Sequence, residues 1–125
     1  MGMRPALILA VSAFCLACSA RAEETPAEID YLLTTVGSSD CVFIRNGKHH
    51  SAANAEEHLR MKYRRGKRHA PTTEDFIENL ASMSSLSNKL YYIDCSGEEV
   101  MPFGEWLALR LAAYRERQLD QGKVE

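Results

Sequence analysis

A chain of 125 residues, 46% hydrophobic and 26% charged, has enough apolar side chains for one small core and is short for two. The 15 basic and 17 acidic residues give a formal net charge of −2, which excludes a general nucleic-acid binder and confines any attraction for anions to local patches.

Residues 1–22 read as a signal peptide. Residues 1–4 supply a short positive region, and residues 5–17 are apolar apart from Ser12. Ala20-Arg21-Ala22 fits the small-x-small pattern of a cleavage site before Glu23. The apolar run is shorter than the ~20 residues a membrane span needs, which makes an uncleaved membrane anchor the lesser alternative; no transmembrane helix is expected in the mature chain, residues 23–125. Lipoprotein anchoring at Cys18 is the alternative. Ala17 suits it, while Cys15 and the bulky Leu16 depart from the usual pattern. Cleavage would remove Arg4 and Arg21 and no acid, leaving the mature chain more acidic. It would also leave two cysteines, Cys41 and Cys95. In an oxidising compartment such a pair reads as a disulfide, and its wide spacing is unlike a redox Cys-x-x-Cys.

The first helix is expected over residues 23–39. Thr25-Pro26-Ala27-Glu28 forms a capping box with proline at the first helical position. Ile29, Leu32, Leu33 and Val36 form one apolar stripe, and Gly37 is the expected stop. Residues 41–44 (CVFI) have strand character, and Asn46-Gly47 is a strong hairpin turn. His49 and His50 begin a short return arm. Ser51 caps a helix over residues 52–65, whose thin apolar stripe includes Ala52, Ala55 and Leu59. After Pro71, Thr72 or Thr73 caps a third helix that buries Phe76, Ile77, Leu80 and Ala81 and ends near Met83. A polar loop over residues 84–89 precedes a second strand, residues 90–95. Residues 98–102 form a short arm or loop. The last helix runs over residues 103–119 on Trp106, Leu107, Leu111 and Tyr114, and the tail from about 120 is polar. The pattern is α+β: a small antiparallel sheet of two or three short strands packed against about four helices. Cys41 starts one strand and Cys95 ends the other, as an antiparallel pairing would place two bridged cysteines.

IDYLL, FIRNG, AEEHLRMKY, TEDFI, SSLSNKLYYI and EWL follow in that order through the mature chain. Together they resemble an uncharacterised family, a domain of unknown function in small proteobacterial proteins with signal peptides. The family pattern has Gly where Asn88 stands, and Asn also tolerates a left-handed turn. The resemblance implies export to the periplasm and carries no reaction.

Residue types suggest several sites. His58 with Ser84 or Ser85 contains the parts of a hydrolase, but no Gly-x-Ser-x-Gly elbow is present, and serines at a helix exit commonly shape a turn. His49, His50 and His58 stand near Glu56 and Glu57. Adjacent histidines on an extended arm face opposite ways and His-Glu-x-x-His is absent, so no metal and no cofactor is expected. Arg60, Lys62, Arg64, Arg65, Lys67 and Arg68 form a basic surface at a helix end, suited to an anionic envelope component or an acidic periplasmic protein. Phe43, Tyr91, Tyr92 and Trp106 are mostly core; whichever of Tyr91 and Tyr92 is exposed would form a ligand site with Arg45 and Lys89. The leading expectation is a non-enzymatic periplasmic binding module, with the His58 hydrolase as the alternative.

Overall fold

The computed structural model describes residues 2–3 and 17–122, with side chains from residue 24 onward in the folded part. The expected leader, residues 1–22, falls largely outside the described residues, as does the Cys18 side chain. The first helix, α1 (Ala17–Ser38), begins before the expected start at Glu23, because Ala and Arg upstream are good helix formers. Pro26 therefore lies inside the helix and not at its first position. The buried stripe is the expected one: Ile29, Leu32, Leu33 and Val36.

Strand β1 (Val42–Arg45) turns through Asn46 and Gly47, at φ 51° and 75°, into β2 (Lys48–His50). Positive φ at both turn positions is what the Asn-Gly pair supplies. Ser51 then caps α2 (Ala52–Gly66), its side chain accepting from Asn54 N at 3.2 Å. Gly37 lies within α1, one residue before its end, instead of stopping it. A Cβ there would lie 1.8 Å from Glu56 Oε1, so the missing side chain permits the close crossing of α1 and α2.

After a 3₁₀ turn, Lys67–His69, the third helix α3 (Thr73–Phe76) is capped by Thr72 and widens into a π-type segment, Ile77–Ala81. Ser82 Oγ donates to the Ile77 carbonyl at 2.5 Å, and Asn79 Nδ2 donates to the His69 carbonyl at 2.8 Å. The sheet is completed by β3 (Tyr92–Asp94) and β4 (Met101–Pro102), and the chain ends in α4 (Phe103–Gly122).

All pairings are antiparallel, in the order β2-β1-β3-β4. There are four strands where two or three were expected, because both short arms pair. Val42 stands opposite Asp94, so Cys41 and Cys95 flank the end of the ladder, and they are disulfide-bonded. One sheet face carries Phe43 and Ile93 into the core beneath the helices. The other leaves Val42 and Tyr92 exposed. Alternation is the cause: in β1 and β3 the residues flanking Phe43 and Ile93 point to the opposite face.

A partly buried polar network ties the helices together. Glu28 accepts from Arg115 Nε at 2.7 Å and Nη2 at 2.9 Å, and from Thr73 Oγ1 at 2.7 Å; Arg115 also bonds Glu74.

Candidate functional site

The inner sheet face does not stop at the core. Arg45 is two residues beyond buried Phe43, and Tyr91 two before buried Ile93, so both fall on the helix side. There they meet the C-terminal half of α2. His58 Nε2 lies 3.5 Å from Tyr91 Oη, and Lys62 Nζ donates to the same hydroxyl at 3.3 Å and to the Met83 carbonyl at 3.0 Å. Two adjoining depressions of about 540 and 550 Å³ open beside this cluster. They share Arg45, His58, Met61, Arg65 and Tyr91 and form one cleft. Phe43, Leu59 and Phe103 floor the first half; Leu80 and Leu86 flank the second.

The electrostatics follow from partial burial among cations. Burial, with Arg45, Lys62 and His50 adding repulsion, lowers the His58 imidazole to about 4. The ring is therefore neutral at neutral pH. Burial first and Arg45 second lower the Lys62 ammonium, while burial raises the Tyr91 phenol. A folded-state pKa below the usual 6.5 means that the unfolded chain binds a proton which folded His58 rejects. Stability is then present above pH ~6.5 and is lost as pH falls toward ~4. Urea unfolding at pH 7 and pH 4.5 should show this drop, and His58→Gln should reduce it. An unchanged slope in the variant would place the drop elsewhere.

The basic surface does not hold together as a single patch. Arg60 turns to α1, bonding Asp30 at 2.9 Å and Thr34 at 3.2 Å, and pairs with Glu56 of its own helix at 2.8 Å. Lys62 points inward. Lys67 lies over the Tyr63 ring, and Arg68 Nε donates to His69. Helical periodicity is the reason, since these residues radiate around α2 and the turn after it. Arg64 and Arg65 join Arg45 on the cleft, with Lys62 in its second half, and among the described residues none of the three arginines makes an ion pair. Glu57 is the single carboxylate in the lining. The exposed tyrosine is Tyr92, but Arg45 lies with buried Tyr91 on the opposite face, so the expected Tyr92–Arg45–Lys89 grouping does not form. Trp106 is buried against Phe103.

His58, Ser84 and Ser85 border the same half of the cleft. Ser84 Oγ accepts from the Leu86 and Ser87 amides, both at 3.4 Å, shaping the loop. Among the described residues no carboxylate hydrogen-bonds His58, and no group of three His, Cys, Asp or Glu residues could hold a metal. His50 Nε2 is buried without a partner among the described residues, facing the other half of the cleft from Ser84. Chemically the arrangement offers fixed positive charge, neutral hydrogen-bonding groups and an apolar floor.

The family of unknown function DUF5329 matches residues 23–115. The chain is also similar to the uncharacterised protein YfeK of Salmonella typhimurium, with 36% identity over 66 residues, 52% of this chain and 55% of that one. It thus spans about half the length of the curated relative it matches. No solved structure matches. Among the described residues no helix is long and apolar enough to cross a membrane.

Proposed function

Because this chain belongs to the family of unknown function DUF5329, whose description supplies no reaction, we propose its role from the cleft: an exported, non-enzymatic domain that binds an anionic component of the cell envelope. The carrying observation is the convergence of Arg45, Arg64 and Arg65, all without ion-pair partners among the described residues, on one cleft that contains a single carboxylate. Guanidinium groups keep their charge at any physiological pH and match carboxylate and phosphate geometry. Neutral His58 contributes shape and hydrogen bonding. The expected leader and the Cys41–Cys95 bridge support an oxidising compartment.

The double variant Arg45→Glu/Arg65→Glu is expected to weaken retention on immobilised envelope extract by at least about tenfold, equivalent to ~1.4 kcal/mol. Arg68→Glu, outside the cleft, should change it little. Undiminished retention of the double variant would end the anion-binding reading.

A hydrolase using His58 with Ser84 or Ser85 is the competing reading, favoured by their shared cleft. Ester turnover abolished by both His58→Ala and Ser85→Ala, with folding intact, would establish it with Ser85. Loss on Ser84→Ala would point to Ser84.

A further inference from the structure

The charged groups account for only part of the cleft. Arg45 and Arg65 border both halves, and apolar side chains stand among the polar ones on either side: Phe43, Leu59 and Phe103 in the first half, Leu80 and Leu86 in the second. Met61 is common to both. Leu86 lines the second half and is 99% exposed. A lone exposed leucine needs no explanation. This one, however, is held in place. Ser84 N donates to the Lys89 carbonyl and Asn88 N to the Ser84 carbonyl, both at 2.9 Å. Asn88 takes φ 56°, and Ser87 Oγ donates to Asn46 Oδ1 at 2.7 Å, pinning the loop to the β1–β2 turn. The chain builds a braced loop whose apolar Leu86 lines the same half of the cleft as Arg45 and Arg65.

We propose that the ligand is a single-chain anionic amphiphile. Its acidic head sits on Arg45 and Arg65, and its hydrocarbon chain runs over Met61 toward Leu86. The proposal rests on the anion-binding reading above. A bare anion would leave the Met61 and Leu86 surfaces wet, and a neutral chain would leave the guanidinium groups unpaired. An amphiphile uses both, and each half of the cleft has the volume of an ordinary ligand site, roughly 300–1,000 Å³. Phosphate and carboxylate heads share the recognition chemistry, since both accept two parallel N–H bonds from a guanidinium.

Calorimetric titration of the disulfide-bonded chain with four probes below their micelle concentrations tests the idea: dodecyl phosphate, dodecanoate, inorganic phosphate and dodecyl maltoside. One or both acidic amphiphiles should bind at least about tenfold tighter than inorganic phosphate, as burial of even two or three methylenes would give. Which of the two binds identifies the head. Leu86→Ser, a neutral change at a fully exposed position, should weaken that binding about tenfold and leave inorganic phosphate unchanged. Equal affinity for dodecyl phosphate and inorganic phosphate, with no gain for dodecanoate, overturns the amphiphile and leaves the anion reading standing. Dodecyl maltoside binding as tightly as the acidic amphiphiles overturns the anion reading itself. Failure of all four overturns both. Unchanged amphiphile binding in Leu86→Ser overturns the placement of the chain.

Discussion

Reduction of the Cys41–Cys95 disulfide is expected to lower the unfolding free energy by about 4 kcal/mol, the chain-entropy figure for a loop of this length. The bridge joins residues 54 apart and encloses β1, β2, α2, α3 and β3, more than half of the core-forming elements. In the unfolded chain it confines all of these to one loop. In the folded chain it closes the end of the β1–β3 ladder, where Val42 pairs with Asp94. Small domains are stable by about 5–15 kcal/mol, so the loss would take a large share of the total. Urea unfolding of oxidised chain, reduced chain and a Cys41→Ala/Cys95→Ala variant would measure it, with a melting midpoint lower by roughly 20 °C. Coincident curves for the three would show that the ladder and core suffice alone.

Replacement of Arg115 by alanine is expected to cost about 3 kcal/mol at pH 7. Glu28 is 8% exposed, and Arg115 gives it two hydrogen bonds. Without that partner a buried carboxylate is left with Thr73 alone. Breaking such a pair costs ~3–5 kcal/mol, and the 44% exposure of the Arg115 side chain puts this case at the low end through solvent screening. The pH dependence separates lost charge from lost packing. In the native chain the Arg115 hydrogen bond, assisted by Thr73 and opposed by burial, holds Glu28 below the usual 4.5. That stability is present above pH ~4.5 and is lost as acid protonates the folded carboxyl. In Arg115→Ala, burial and Glu74 act unopposed by the guanidinium and raise the Glu28 pKa. The variant's deficit should therefore be largest at pH 7 and shrink toward pH 4. Equal deficits at both pH values would assign the loss to packing alone.

Much of the fold was legible because its strongest signals are local. The α1 stripe, the Asn46-Gly47 turn and the Ser51 and Thr72 caps are each specified by neighbouring residues. Both cysteines are explained by strand direction. The misses have physical causes. Gly37 read as a helix stop, but tertiary packing uses its missing side chain for the crossing with α2. The π-type segment after Phe76 has no periodic signature in five residues. The basic cluster was continuous in sequence, but a helix distributes such residues around its axis. Arg60 consequently faces α1 while Arg64 and Arg65 face the cleft. Arg45 was the residue whose place alternation could have given, since it lies two positions from Phe43. What no local rule supplies is that the inner face of β1 meets the far end of α2. That juxtaposition depends on the whole chain path, and the cleft is made by it.

The order β2-β1-β3-β4 also decides how copies of this protein meet. The sheet ends on two very short strands. Lys48–His50 places a charge on one border, and Met101–Pro102 includes a residue with no amide hydrogen on the other. Neither border offers a run of free backbone donors and acceptors long enough to template a strand from a second molecule. The open face with Val42, Tyr92 and Asp94 is thus bounded by borders that do not extend. Crowding many copies together should not drive sheet-to-sheet fibre growth through these borders, and the fold keeps its outer face available at low aggregation risk.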